Sequence, residues 1–124
     1  MANIYVGNGS CYNIHRGYFV KQGRTIYEVV GILYLLLRDL RRGRTYNHEC
    51  REIKMTSTLF RKRVRYLYTI YSRKLPRKYR AQLKKLLTYV LKKKKLPRSF
   101  TWRSKRIYTK SILRKAITRG AVIL

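Results

Sequence analysis

The fold of this chain depends first on the stretch of residues 25–42, which reads TIYEVVGILYLLLRDLRR. Apolar side chains recur in it at spacings of three and four residues, at Val30, Leu33, Leu37 and Leu40, as on one face of an α-helix. Further apolar residues widen this face beyond a single stripe, which predicts a helix that packs on two sides. We therefore expect Leu33 and Leu37 in the core of a bundle, rather than on a stripe that binds a membrane surface or a partner.

Further helical patterns lie downstream of this stretch. A second helix is predicted over about residues 56–73, and it ends before Pro76 because proline disfavours helical backbone in the preceding residue. Pro76 suits the first turn of a third helix. A last helix is predicted from about Ser104 to Arg119, and residues 43–50 are interpreted as a connection.

These elements together predict an all-α fold, a small bundle of three to four helices with short loops. On the second helix, Tyr66, Tyr68 and Tyr71 lie at helical spacing, so at least two of them are expected to be buried or half-buried rather than stacked on bases. We divide the chain into an irregular N-terminal segment at 1–22, a helical domain at 23–88 and a basic helical extension at 89–124.

The charge of the chain is strongly one-sided. Its 124 residues include 32 Lys and Arg against 4 Asp and Glu, which gives a formal net charge of +28. All four acids precede residue 60, whereas residues 60–124 carry 23 basic residues and no acid. Because self-repulsion of this size opposes a compact state, a polyanion is expected to supply the negative charge, and nucleic acid is the leading candidate. Residues 89–124 are expected to be poorly ordered until RNA neutralises them.

Catalytic and metal-binding patterns are sparse in the sequence. Four carboxylates at unrelated spacings do not form a pair for acid–base chemistry, and no phosphate-binding loop or nucleophile elbow is present. The cluster His48-Glu49-Cys50 lacks the paired Cys or His ligands of a zinc site. The longest apolar stretch, residues 26–37, contains Glu28 and is shorter than the roughly 20 residues that a membrane span needs. We therefore expect that the protein is not an enzyme, that it binds no cofactor and that it does not span a membrane.

Three segments of the chain resemble one family. Residues 76–86 read PRKYRAQLKKL, and this string resembles the last-helix signature of the universal small-subunit ribosomal protein fifteen family. Residues 63–71, RVRYLYTIY, resemble the Arg-rich helix of that family, and residues 27–40 resemble its long amphipathic helix. The resemblance covers about residues 23–88. It implies a helical bundle that binds rRNA at a multi-helix junction in the central domain of the small subunit.

The resemblance and the charge pattern together define the expected RNA-binding residues. The rRNA-contacting loop of the family reads Asp-His-His-Ser-Arg, and the nearest match here is residues 47–51, Asn-His-Glu-Cys-Arg, which departs from it at Glu49 and Cys50. The basic faces of the second and third helices are expected to meet at the short connection before Pro76 and to form one groove. The predicted rRNA-binding residues are Asn47, His48, Arg51, Arg61, Arg65, Tyr68, Arg77, Arg80, Lys92, Lys93, Lys94, Lys95, Arg98, Arg103, Lys105 and Arg106.

The function predicted from the sequence is that of a structural constituent of the small ribosomal subunit. Its expected partners are small-subunit rRNA and neighbouring ribosomal proteins, with no small-molecule substrate, no membrane and no homo-oligomer. An excess of Lys, Tyr and Ile fits an A+T-rich coding genome, and with the basic extension it favours a mitochondrial ribosome over that of another organelle or the cytoplasm. The alternative is a non-ribosomal basic module that binds nucleic acid or compacts DNA.

Overall fold

The computed structural model describes residues 25–47 and 51–118. The predicted irregular segment 1–22 and the loop residue His48 lie outside the described residues. In chain order the elements are α1 (Thr25–Arg42), β1 (Arg44–Tyr46), β2 (Glu52–Lys54), α2 (Ser57–Tyr71), a 3₁₀ turn (Ser72–Lys74), α3 (Arg77–Lys93), β3 (Ser99–Trp102), β4 (Lys105–Tyr108) and α4 (Thr109–Thr118).

Helix α1 is the centre of the core. It packs against α2 and also against α4, so the prediction of a helix covered on two sides is confirmed. Leu33 is fully buried and Leu37 is nearly so, as the sequence predicted. Gly43 ends the helix in a left-handed conformation, with φ of 74°. Its N–H donates to the carbonyl oxygen of Asp39 at 2.9 Å, which satisfies a carbonyl that the helix leaves free.

Helices α2 and α3 form an antiparallel pair beside α1. Thr56 caps α2, since its hydroxyl oxygen accepts a hydrogen bond from the backbone N–H of Leu59 at 3.1 Å. The apolar face of α2 is buried against α1 and α3, and the apolar face of α3 is buried in the same core. Tyr71 is buried, Tyr68 is half-buried and Tyr66 is exposed, so the expectation that most of these tyrosines pack is confirmed.

Two small hairpins correct the all-α prediction. The fold is mostly helical, but residues 43–50 are not a plain connection, because β1 and β2 pair antiparallel with Thr45 opposite Ile53. A second antiparallel hairpin joins β3 and β4, with Phe100 opposite Ile107. Neither hairpin was predicted from the sequence, because the strands are three or four residues long and show no extended alternation of apolar and polar residues.

The last helix begins later than predicted. Ser104 lies in the turn of the second hairpin, and α4 starts at Thr109 instead. Thr109 is buried, where its hydroxyl donates to the carbonyl oxygen of Pro97 at 2.6 Å and its N–H donates to that of Arg98 at 3.1 Å. These bonds hold the end of β4 beside the loop before β3, in a region that the sequence pattern predicted to be part of one continuous helix.

The hydrophobic core continues past residue 88. Trp102 in β3 is 7% exposed and Ile112 in α4 is 3% exposed, and both belong to the same buried cluster as α1. Residues 89–114 therefore contribute to the packed body through a strand and a helix. Among the described residues, no helix is long and apolar enough to cross a membrane.

Candidate nucleic-acid interface

Basic side chains cover the outer surface of the described body. Between residues 60 and 114, every Lys and Arg is exposed except Arg63 and Arg80, which are half-buried. No Asp or Glu follows Glu52 in the sequence, so this half of the chain supplies no carboxylate of its own to these cations. Because the core fixes the helices that carry them, the charges stand in set positions and can track a phosphate backbone.

A groove between α2 and α3 holds two of the predicted residues, Arg65 and Tyr68. Its volume is about 370 Å³, and its α3 wall includes Lys84 and Thr88 over an apolar floor of Leu87 and Leu91. Arg61 lies one helical turn before Arg65 and is exposed on the same face of α2. Two cations beside a half-buried tyrosine form a surface that suits a sugar–phosphate backbone or an unpaired base. Lys84 also lines this groove, and it was not among the rRNA-binding residues predicted from the sequence.

The predicted single groove through the α2–α3 connection is not what the structure shows. Arg77 and Arg80 do not line the groove that Arg65 and Tyr68 share. The Nε of Arg80 donates to the carbonyl oxygens of Ser72 at 2.9 Å and Leu75 at 3.3 Å, so this side chain holds the connection together. Arg77 is exposed at the first position of α3. Its cation therefore lies on the outer surface, apart from the groove.

Asn47 and Arg51 close the loop between β1 and β2. The N–H of Asn47 donates to the carbonyl oxygen of Arg51, and the N–H of Arg51 donates to the side-chain oxygen of Asn47, both at 3.0 Å. The amide of Asn47 is thus used to fix the loop, whereas the side chain of Arg51 is exposed. His48 falls between them and outside the described residues.

Arg63 is a structural arginine, half-buried on α2 between the exposed Arg61 and Arg65. Its guanidinium donates to the hydroxyl of Thr45 and to the carbonyl oxygen of Tyr46, each at 3.0 Å. The hydroxyl of Thr45 in turn donates to the buried carboxylate of Asp39 at 2.8 Å. This chain joins α1, β1 and α2. The sequence contains one signal of this half-buried position. Arg63 lies three residues after Phe60 and four before Leu67, and this spacing places it on the apolar face of α2.

The lysine run at residues 92–95 contains one side chain with a local structural role. Lys94 takes the left-handed conformation that ends α3, with φ of 57°, and its ammonium donates to the carbonyl oxygen of Leu91. That ammonium also lies 5.6 Å from the centre of the Phe60 ring. Lys92, Lys93 and Lys95 are exposed and carry no such bond among the described contacts. Three outward cations therefore remain for phosphates.

The tip of the second hairpin is anchored to α3. The N–H of Arg103 donates to the side-chain oxygen of Gln82 at 2.8 Å, and its guanidinium lies 4.9 Å from the centre of the Tyr79 ring. Lys105 and Arg106 are exposed on β4, and Arg106 donates to the hydroxyl of Ser99 at 3.4 Å. A cation held against an aromatic ring loses little freedom when it meets a phosphate. Arg98, in the loop before β3, lines a second cavity at the base of this hairpin.

The described residues contain no group of three or more His, Cys, Asp or Glu that could hold a metal ion. Comparisons of the chain with protein-family models, with curated proteins and with solved structures gave no match.

Proposed function

We propose that this protein is a structural constituent of the small ribosomal subunit and that it binds rRNA through the basic surfaces of α2, α3 and the second hairpin. One observation carries the proposal. A folded helical body presents exposed cations on each of these elements, and the half of the chain that forms them contains no carboxylate. A disordered basic tail supplies positive charge but does not hold it in fixed positions, whereas this folded body holds its cations in fixed positions.

The local sequence favours rRNA over other polyanions. The string of residues 76–86 resembles the small-subunit ribosomal protein fifteen family, and in the structure it spans Pro76 and the first three turns of α3. Structured RNA is recognised mostly through shape, phosphates and 2′-hydroxyls, which exposed Lys and Arg on fixed helices can contact. Neighbouring ribosomal proteins and a mitochondrial ribosome complete the proposed setting, the latter from the Lys, Tyr and Ile content of the chain.

A salt titration with two polyanions tests the proposal. The full-length protein is mixed with a small-subunit rRNA central-domain fragment or with duplex DNA of equal phosphate count, and affinity is measured from 50 to 200 mM salt. If six to ten phosphates are contacted, affinity for rRNA is expected to fall by about 10³- to 10⁵-fold across this range while a preference for rRNA over DNA persists. Equal affinity for both polyanions at every salt concentration is the behaviour of a DNA-compacting module and contradicts the proposal.

A further inference from the structure

A second cavity, larger than the α2–α3 groove, opens beside the end of α3. Its volume is about 820 Å³, and its walls come from α1, the end of α3, the loop between α3 and β3, the end of β4 and the start of α4. Pockets that enclose small organic groups have volumes of roughly 300–1,000 Å³. The cavity is therefore large enough for one nucleotide.

The rim of this cavity is cationic. The basic residues that line it are Arg41 at the end of α1, Lys94, Lys95 and Arg98 after the end of α3, and Lys110 in α4, and all five are exposed. No Asp or Glu belongs to its lining. Five cations from three separate parts of the chain converge on one opening, so the rim suits the phosphates on either side of a bound group.

The interior is aromatic and apolar. Tyr89 is half-buried in one wall, and Leu37 and Leu113 line the same cavity. Tyr108 also lines it and is 56% exposed. Aromatic rings open to solvent inside a cationic rim are the usual platform on which an unpaired base stacks.

We propose that this cavity holds one unpaired nucleotide of the bound RNA, with its base against Tyr89 and Tyr108 and its flanking phosphates on Arg98 and Lys110. The inference rests on the proposed RNA binding and makes it more specific. Paired bases in an A-form helix stay inside the stack and cannot enter a cavity, so only a bulged or looped-out nucleotide fits. The helical faces then contact paired RNA through phosphates, while the cavity distinguishes an unpaired position.

The test compares two RNA hairpins that differ by one bulged 2-aminopurine, with the full-length protein at fixed salt. Wild-type protein is expected to bind the bulged hairpin about 5- to 150-fold more tightly, which is the range for stacking one base on aromatic side chains. Tyr108→Leu is expected to abolish this preference. Tyr66→Leu is the matched control, because Tyr66 is also exposed, at 48%, but lies on α2 outside the cavity.

A second pair of variants tests the rim independently of the rings. Arg98→Gln with Lys110→Gln is expected to weaken binding of the bulged hairpin more than binding of the paired hairpin. The control, Arg73→Gln with Lys78→Gln, removes two exposed cations that do not line the cavity and is expected to weaken both RNAs alike. The fluorescence of Trp102, the single tryptophan, confirms that each variant is folded.

Three results would overturn the cavity assignment. They are an unchanged bulge preference in Tyr108→Leu, an equal loss for both hairpins in that variant, and a free mononucleotide that binds as tightly as the bulged RNA. In the first two cases salt-sensitive binding of the paired hairpin persists, so the proposed rRNA-binding function stands. If wild-type protein binds neither hairpin, the proposed function itself fails.

Discussion

Replacing Arg63 by methionine separates the arginines that hold the fold together from those that are available to RNA. Arg63 lies between Arg61 and Arg65 on α2, yet only Arg63 reaches back to Thr45 and Tyr46 of β1. Methionine keeps most of the length and apolar stem of the side chain and removes the guanidinium. The change therefore tests the hydrogen-bond chain to Asp39 rather than the packing of the helix.

The expected loss of stability follows from the two bonds. A hydrogen bond to a charged group is worth about 1.5–3 kcal/mol, and the lower end applies here because Arg63 is half-buried and keeps some contact with water. Two such bonds give a loss of about 3 kcal/mol in the free energy of unfolding. Arg61→Met and Arg65→Met remove exposed cations, so each is expected to change stability by less than about 0.5 kcal/mol.

The assay is urea unfolding of the full-length protein, followed by Trp102 fluorescence and by helical circular dichroism. Arg63→Met is expected to shift the midpoint of both signals to lower urea at constant slope, whereas the two control variants leave it in place. RNA affinity is expected to respond in the opposite way, with the larger loss in Arg61→Met and Arg65→Met. An Arg63→Met protein as stable as the controls would refute the assignment of Arg63 to a structural network.

Three further predictions concern the core, the second hairpin and the C-terminal half. Leu33→Ala is expected to lower the free energy of unfolding by about 2–5 kcal/mol because Leu33 is fully buried, and a change within a few tenths would show that it is not core. Ser104→Gly is expected to raise the free energy of unfolding by about 1 kcal/mol, since Ser104 has φ of 69° and glycine adopts that conformation without strain. A loss of stability in urea unfolding would contradict the turn geometry. In RNA-free protein, acrylamide is expected to quench Trp102 far less than in the urea-unfolded chain, because Trp102 is buried; equal quenching would restore the interpretation of residues 89–124 as a tail ordered only by RNA.

The helices were predictable because each presents a long apolar face. Helix α1 was predicted from the apolar spacing of residues 25–42, and the described helix spans Thr25–Arg42. Helix α2 ends within two residues of its predicted limit, before a 3₁₀ turn. The hairpins were not predictable, since the second one turns on Arg103 and Ser104, both at positive φ, where the usual signal is Asn-Gly. Trp102, at the end of β3, is buried against the body, and sequence spacing carries no information about that contact.

The basic surface was predictable as a whole but not residue by residue. A half-chain without carboxylates must expose its cations, and most of the predicted residues are exposed. Arg80 is half-buried, and the side chains of both Arg80 and Lys94 bond to backbone carbonyl oxygens, those of Ser72 and Leu91. These contacts depend on how the chain turns at each end of α3. Lys84 was missed for the converse reason, because its place beside Arg65 depends on how α3 packs against α2.

The most direct test of the proposed function is sedimentation of the full-length protein from a cell that makes it, through a sucrose gradient at moderate salt, with sequencing of the RNA crosslinked to it. We expect the protein to sediment with the small ribosomal subunit and its crosslinks to map to small-subunit rRNA at a helical junction. Recovery at the top of the gradient, or crosslinks to nucleic acid without preference for that rRNA, would contradict it.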